Sequence, residues 1–432
     1  MTPKQKKGLI IALMSFIPAI YGFAPLFSSS LQQKNQKIGS WKKMSGAAPV
    51  EARAIIGSLL AGNKIIVWGG EIKDKPVSDG AIYDLDKDVW KKMPAAPIEG
   101  REHFTMLAHG QKVILWGGEN TPSGAIYDIQ ENTWKKMSEA PITLGMEPYT
   151  SGLVGNKLLV WGIGKTRELN PVGGIYDLDK DSWKKIAEPI SIKAIDDWPA
   201  FIYKNKFLVW GSPPAGKGDR YGAIYDLDKD VWKEMARAPI ERRNWSAAVL
   251  AGNKLVIWGG CPGPVEARSS ESRSDGAVYD IDTDAWKKMA PAPLEARFFP
   301  RAFLWGNKVV IWGGLKDKFF YDGAIYDIEK DTWEKIAEAP VKGEHPRELY
   351  SYGIFGYNPT PPVLSGYKLI VWSVYCQAIY DLEKKKWEEM ADAPISGRDY
   401  HASFLYGNKL IIWGGRDSQK AHSDGAICDL GK

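Results

Sequence analysis

The sequence predicts an all-β fold in which eight similar four-stranded units close into one ring, and three observations predict it. An apolar run that ends in tryptophan, first seen over residues 63–68, recurs eight times. A second phrase, Gly-Ala-Ile-Tyr-Asp-Leu-Asp-Lys-Asp-Val-Trp at 80–90, follows each run and is cut short in the last. Its tyrosine positions lie 44 to 54 residues apart. Two β-like phrases at a period of about fifty residues are typical of a β-propeller.

Each unit is predicted to begin with a hairpin. In the first unit, residues 54–61 form the first strand and residues 64–68 the second. Gly62-Asn63 forms the turn between them, because both residue types tolerate the positive φ that tight hairpin turns require. The second strand is apolar without alternation, which indicates that both of its faces are buried. Neighbouring blades of a propeller would cover those two faces.

The second half of the unit supplies two more strands. A loop of variable length leads to the third strand at 81–85, and Asp86-Lys87-Asp88 turns the chain into the fourth strand at 89–93. Aspartate favours such turns because its side chain bonds the local backbone. A proline then follows, as at Pro97, and proline cannot continue a hydrogen-bonded ladder. The chain therefore crosses to the next blade at this point.

Counting strands predicts how the ring closes. The first three strands occur eight times after residue 53, but the chain stops at Lys432, one strand short. Residues 38–45 carry an unmatched fourth strand around Trp41. We therefore expect residues 38–45 to complete the last blade, so that residues 38–432 form one eight-bladed propeller with no open edge.

The N-terminus reads as an export segment. Residues 1–7 contain three lysines, and residues 8–27 are uncharged and largely apolar. This order is typical of a secretory signal, although the apolar run is also long enough to span a bilayer. We expect residues 1–30 to be a cleaved signal or a retained helical anchor, and residues 31–37 a linker. In either case the propeller is expected outside the cytoplasm, periplasmic, extracellular or anchored.

Composition narrows the classes of partner. The formal charge is +5, and three of those charges are lysines of the export segment. No block of Lys and Arg suggests nucleic acid, so no nucleic-acid partner is expected. Cys261, Cys376 and Cys428 are too few and too scattered for a disulfide framework. The membrane is expected to be contacted only through residues 8–27, and the chain is expected to be a monomer.

The repeated phrases resemble kelch repeats. In that pattern an arginine precedes the first strand, a Gly-Gly pair ends the second, a tyrosine lies in the third and a tryptophan opens the fourth. The resemblance covers about residues 38–432 and is that of an exported, bacterial-type member. The Gly pair is replaced at 162–163, 211–212 and 373–374. Kelch propellers most often have six or seven blades and this chain has eight, so the function of a particular member does not transfer.

The candidate site lies on the face that carries the variable loops, because specificity usually sits on variable loops of a rigid scaffold. Six units place an arginine just before the first strand on this face: Arg53, Arg101, Arg243, Arg297, Arg347 and Arg398. Such guanidinium groups could grip carboxylates in fork geometry. Some kelch domains bind acidic peptides with arginine at this position, and the resemblance implies the same option here. The other reading is structural, with each arginine bonded to carbonyls or glutamates that hold the blades.

Two units depart from the arginine rule. Glu147 stands near the expected position in the third unit, and Asp196-Asp197-Trp198 stands there in the fourth. Carboxylates beside a stacking tryptophan could orient a sugar. Trp245, Tyr400 and His401 occupy similar positions elsewhere. The alternative is that these aromatic residues fill the inner channel wall.

No catalytic signature accompanies the repeat. The five histidines show no metal-ligand spacing, so no metal site and no cofactor are expected. Copper-radical oxidases with a galactose-oxidase-like central propeller need Tyr, His and a Cys cross-linked to Tyr, and nothing here reproduces that set.

Two functions remain. The first is a non-catalytic propeller that binds a protein, a glycan or another acidic ligand through the variable face. The second, implied by a resemblance to kelch-type sialic-acid epimerases, is an extracytoplasmic sugar-acid epimerase or mutarotase. Its candidate residues are Arg53, Arg101, Glu147, Asp196, Asp197 and His401. A carboxylate with a perturbed pKa near the arginines would favour the enzyme, and a flat, uniformly paired ring of arginines would favour binding.

Overall fold

The computed structural model places the strands of the predicted propeller between Ser40 and Asp429. The described residues are 37–53, 57–73, 75–118, 121–164, 171–187, 200–210, 222–241, 243–262, 271–341, 362–398, 400–417 and 420–431, without the side chains of 145–149 and 163. The predicted signal or anchor, residues 1–30, and the linker up to residue 36 lie outside them. No helix that could cross a bilayer occurs in the part that starts at Lys37.

Eight antiparallel sheets of four strands form the blades, as the repeat predicts. The strands of blades one to four are Gly57–Ala61, Lys64–Trp68, Gly80–Asp84, Val89–Lys92; Thr105–His109, Lys112–Trp116, Gly124–Asp128, Thr133–Lys136; Leu144–Val154, Lys157–Gly164, Pro171–Asp177, Ser182–Lys185; Ala200–Tyr203, Lys206–Trp210, Gly222–Asp226, Val231–Glu234. Those of blades five to eight are Ala247–Ala251, Lys254–Trp258, Gly276–Asp280, Ala285–Lys288; Arg301–Trp305, Lys308–Trp312, Gly323–Asp327, Thr332–Ile336; Val363–Ser365, Lys368–Trp372, Gln377–Asp381, Lys386–Glu389; Ala402–Tyr406, Lys409–Trp413, Gly425–Asp429, Ser40–Lys43. A short hairpin, Glu71–Ile72 with Lys75–Pro76, extends one loop of blade one.

The ring closes through the N-terminal strand. Ser40–Lys43 pairs antiparallel with Gly425–Asp429, and Trp41 lies opposite Cys428. The prediction that the segment around Trp41 completes the eighth blade is therefore confirmed. The segment also crosses to blade seven, because the Ile38 amide donates to Glu389 O at 2.8 Å and the Ala391 amide donates to Ile38 O at 2.7 Å.

The core lies at the eight boundaries between blades. The second and third strands are buried on both faces, as their uninterrupted apolar sequences predict. At every boundary the second-strand tryptophan of one blade packs against the fourth-strand tryptophan of the next, with ring centroids 4.7 to 6.2 Å apart. The pairs are Trp68–Trp134, Trp116–Trp183, Trp161–Trp232, Trp210–Trp286, Trp258–Trp333, Trp312–Trp387, Trp372–Trp41 and Trp413–Trp90.

Hydrogen bonds reinforce these boundaries, as the contact between blades four and five illustrates. Asp284 Oδ1 accepts from the Tyr279 hydroxyl of its own blade at 2.6 Å and from the Ala236 amide of blade four at 2.8 Å. Trp286 Nε1 donates to Ala236 O at 2.9 Å. Burial alone raises the pKa of Asp284, but hydrogen bonds from Lys233 and Tyr279 lower it below its usual value. The carboxylate therefore stays charged at neutral pH and links the two blades.

Three blades depart from this arrangement, and in blade seven Lys385 replaces the aspartate. Between blades one and two, Pro94 holds the position of Ala236, and proline has no N–H to donate. Asn132 replaces the aspartate there and accepts from the Tyr127 hydroxyl. In blade eight Gly39 and Cys428 replace the aspartate and the tyrosine. A Cβ on Gly39 would lie 2.5 Å from Cys428 Sγ, so these two changes fit each other. Cys261, Cys376 and Cys428 are all buried free thiols.

Loss of the closing strand should destabilise the whole ring. A chain that starts at residue 50 lacks Trp41 and Met44, and burial of such residues contributes about 2–5 kcal/mol each. We expect it to melt at least about 5 °C below a chain that starts at residue 31, measured by circular dichroism. Melting points within one or two degrees of each other would show that residues 38–45 do not hold the ring closed.

Candidate functional site

One side of the ring carries the connections between second and third strands and the connections between blades. We call this side the loop face. Its described residues include those of the loops within 69–79, 259–275, 313–322 and 414–424, together with the described residues just before the first strands. All of the arginines that the sequence analysis selected precede a first strand, and five of them lie among the described residues.

Each of these five arginines is buried and bonded within its own blade. Arg297 Nε donates to Glu295 O at 3.0 Å, and its Nη1 donates to Gly313 O at 3.1 Å and to Asp322 Oδ1 at 2.6 Å. The guanidinium also lies 3.8 Å above the ring of Phe320. The other four make corresponding bonds: Arg53 to Glu51, Gly69 and Asp79; Arg101 to Glu99, Gly117 and Ser123; Arg243 to Glu241, Gly259 and Asp275; Arg398 to Ser396, Gly414 and Asp424.

These contacts make each arginine a clamp that joins the start of the first strand, the end of the second and the start of the third. Hydrogen bonding to Arg53 lowers the pKa of Asp79. Burial alone raises the pKa of Asp275, but the hydrogen bond from Arg243, together with the positive charges of Arg243 and Lys288, lowers that pKa below its usual value. The geometry therefore gives the arginines the structural role that the sequence left open. Their contact with a ligand stays a prediction.

The Gly-Gly pair belongs to the same arrangement. Gly314 has φ +103°, and a Cβ there would lie 3.0 Å from Phe298 O and 3.2 Å from Arg297 Cδ. The second glycine thus lets the chain that carries the arginine cross close to the end of the second strand. The described clamps occur in blades one, two, five, six and eight, and these are the five blades that keep the pair.

Sequence reasoning missed the partners of the clamp. Asp79, Asp275, Asp322 and Asp424 directly precede the first glycine or equivalent residue of the third strand, and Ser123 takes this position in blade two. Blades three, four and seven, which lack the Gly pair, have Val172, Tyr221 and Cys376 at this position. The signal in the sequence was that the arginine, the Gly pair and an aspartate or serine before the third strand occur together in the same five blades.

The residue two positions after the arginine adopts a left-handed backbone in four blades. These residues are His103, Trp245, Phe299 and Tyr400, with φ between +51° and +57°. Bulky residues rarely adopt this conformation, and it is maintained only where surrounding contacts enforce it. In blade six the enforcing contact is visible, because Phe298 pairs with Leu315 of the following loop through two backbone hydrogen bonds.

The two selected aromatic residues among these four differ in exposure. Trp245 is buried beside Phe298 and Cys261, and its ring lies 5.6 Å from Phe299, so it fills the interior of the loop face. Tyr400 is 50% exposed, and the guanidinium of exposed Arg416 lies 5.1 Å from its ring centroid. Tyr400 and Arg416 therefore form an accessible cation–π pair on the loop face.

His401 is buried against blade seven. Its Nε2 lies 2.9 Å from Trp372 O, its Nδ1 lies 3.0 Å from Ser403 Oγ, and its ring meets the Trp372 ring edge to face. Phe104 occupies the same repeat position in blade two and packs on Trp68 in the same way. Burial lowers the pKa of His401 to about 4, so the ring is neutral at pH 7.

The remaining selected residues fall outside this description. Arg347, Asp196, Asp197 and Trp198 lie outside the described residues. Glu147 belongs to the backbone of strand Leu144–Val154, and its side chain is not among those described. The described residues contain no cluster of three His, Cys, Asp or Glu side chains that could hold a metal ion.

Comparisons with known proteins agree with the fold. The family described as Attractin/LZTR1 beta-propeller matches residues 65–322, which is more than half of the 432-residue chain. Among solved structures, a fungal alcohol oxidase of the AA5 family in complex with copper is similar, with a TM-score of 0.54 and 14% identity. That similarity covers 91% of this chain and 76% of the oxidase chain, and at this identity it concerns the fold alone. No curated protein matches the sequence.

Removal of one clamp should cost stability. We expect Arg297→Ala to lower the free energy of unfolding by about 3–5 kcal/mol, because it leaves Asp322 without its buried partner. Urea unfolding measures this change. Exposed Lys335 of the same blade provides a control, and Lys335→Ala should stay within about 0.5 kcal/mol of the wild type. A loss below about 1 kcal/mol in Arg297→Ala would contradict the clamp.

His401 should impose a pH dependence on stability. Its pKa is about 4 in the folded chain against an ordinary value of 6.5, so the unfolded chain binds a proton first as pH falls. The free energy of unfolding should therefore decline between pH 6.5 and 4, by up to about 3 kcal/mol. Urea unfolding at steps of pH measures the decline. In His401→Phe, which copies Phe104, this part of the slope should vanish; an unchanged slope would contradict the assignment.

Proposed function

Because this chain belongs to the Attractin/LZTR1 β-propeller family, we propose that it is a non-catalytic module that binds a protein partner on its loop face. Propellers of the kelch type commonly serve protein binding. The fold alone does not assign an activity, so the proposal depends on a site. The observation that carries it is the pair of Tyr400 and Arg416.

Three properties of this pair support a binding role. Tyrosine and arginine are enriched among the residues that dominate binding energy at protein interfaces. Tyr400 already has a left-handed backbone two residues after Arg398, whose guanidinium is fixed by Asp424, and a preformed backbone limits the entropy lost on binding. Exposed Arg416 can take a carboxylate in fork geometry, so an acidic protein segment suits the pair. A glycan that carries a carboxylate is the second ligand class with the same chemistry.

Two further predictions, the location of the propeller outside the cytoplasm and the sugar-acid epimerase activity, stay proposals and are secondary to protein binding. The charge and hydropathy of residues 1–30 support a location outside the cytoplasm, and N-terminal sequencing of the mature protein would distinguish a cleaved signal from a retained anchor. The sugar-acid epimerase is not better supported than binding, because carboxylates with a lowered pKa, such as Asp79 and Asp275, are paired with Arg53 and Arg243, and a paired ring of arginines favours binding. Arg53 and Arg101 use their guanidinium groups within their blades, and His401 donates its Nε2 proton to a backbone carbonyl.

Site-specific photo-cross-linking in the source cells tests the proposal. A benzophenone side chain at position 400 of the full chain should capture a partner. The matched control is position 203 on the opposite face, where Tyr203 lies beside the Lys204 ammonium at 4.7 Å. We expect capture at 400 and not at 203. With the captured partner purified, Arg416→Ala should weaken binding at least about tenfold, and Lys204→Ala should leave it unchanged.

Two results would count against the proposal. Equal capture at both faces would show that the loop face is not selective. A partner whose affinity is insensitive to Arg416→Ala would show that the Tyr400–Arg416 pair does not hold it.

A further inference from the structure

A cavity opens where the first strands of blades six, seven and eight follow one another around the ring axis. Its volume is about 520 Å³, and it is lined by Ala302–Leu304 of blade six, Pro362–Leu364 of blade seven and Ser403 of blade eight. The first strand of blade seven has three residues, whereas those of blades six and eight have five.

The side chains that line this open cavity are apolar apart from one hydroxyl group. Six of its seven lining residues are Ala, Phe, Leu, Pro and Val residues, and Ser403 Oγ is the only polar side-chain atom among them. Cavities of about 300–1,000 Å³ with an apolar wall and few polar groups are typical sites for small molecules. The direction in which Ser403 can form hydrogen bonds therefore decides which molecule fits.

The tautomer of His401 fixes that direction. Nε2 lies 2.9 Å from Trp372 O, and a carbonyl can only accept, so Nε2 carries the ring proton. Nδ1 of the neutral ring then has only a lone pair, and Ser403 Oγ at 3.0 Å must donate its single proton to it. The lowered pKa of His401 keeps the ring neutral over the physiological range. The serine oxygen is thus left with lone pairs alone toward the cavity.

We propose that this cavity binds a small apolar molecule that carries one hydroxyl or N–H group, which donates its proton to Ser403 Oγ. A molecule of the same shape with only an acceptor at that position would place two lone pairs against each other and leave both unsatisfied. The site lies in the channel and is independent of the protein partner proposed for the loop face.

Two compounds that differ in the donor alone test the site. 2-Naphthol presents a hydroxyl proton, and 2-methoxynaphthalene has the same rings without one. Isothermal titration calorimetry on the full chain should give a dissociation constant at least about tenfold lower for 2-naphthol. Ser403→Ala should reduce this preference to within about twofold. Ser58→Ala is the matched control, because Ser58 holds the same repeat position in blade one with Ile56 in place of the histidine; it should leave the preference unchanged.

A second variant tests the role of the tautomer. His401→Phe places at this position the residue type that blade two has at Phe104. It frees the proton of Ser403, so the ether should gain affinity and come within about threefold of 2-naphthol. Thermal melting shows whether each variant is folded. The proposal is overturned by equal affinities in the wild type, by no binding of either compound up to its solubility, by a preference that survives Ser403→Ala, or by an ether that gains nothing in folded His401→Phe. None of these results depends on whether the loop face has a protein partner.

Discussion

The structure depends on the contact between two tryptophans at each boundary between blades. A four-stranded blade cannot bury both faces of its central strands alone, so it needs a neighbour on either side. The second-strand tryptophan of one blade and the fourth-strand tryptophan of the next meet that need at all eight boundaries. The tyrosine of the third strand extends the contact in seven blades. Because each blade completes the core of its neighbours, the ring is stable only when it is closed, and this is why the N-terminal strand must supply Trp41 to the eighth blade.

Polar side chains link neighbouring blades at the boundaries, whereas on the loop face they fix the strand ends within each blade. At most boundaries an aspartate accepts hydrogen bonds from an amide of the neighbouring blade and from tyrosine and lysine side chains, and the departures at Pro94 and Gly39 are matched by neighbouring residues. On the loop face, buried arginines fix the end of the second strand to the starts of the first and third. Such a frame holds short loops rigidly, so that Tyr400 can be presented in a conformation that a free chain would avoid. The same rigidity keeps His401 in one tautomer.

Repetition explains why the fold could be predicted and the site only in part. The number of blades, the two buried strands and the closing strand follow from positions that recur, and recurrence is visible in one sequence. The arginines also recur, but recurrence did not distinguish a ligand contact from a clamp, since both require a guanidinium at that position. Asp322 and its equivalents show the clamp, because the fold places them beside the arginines, and contact of the arginines with a ligand stays a prediction. The combination of Ser403 with His401 occurs in one blade only, since Ser58 has the same repeat position without a histidine beside it, and no periodic pattern could reveal their contact.

A double-mutant cycle at one boundary tests the central claim most directly. Trp210 and Trp286 have ring centroids 4.8 Å apart across blades four and five, and each is replaced by leucine alone and together. Urea unfolding should give a coupling energy of at least about 1 kcal/mol, because the second substitution removes a contact already lost with the first. The pair Trp210 and Trp333, which belongs to two different boundaries, should be additive within about 0.5 kcal/mol. Additivity of Trp210 and Trp286 would contradict the account that the ring depends on these contacts.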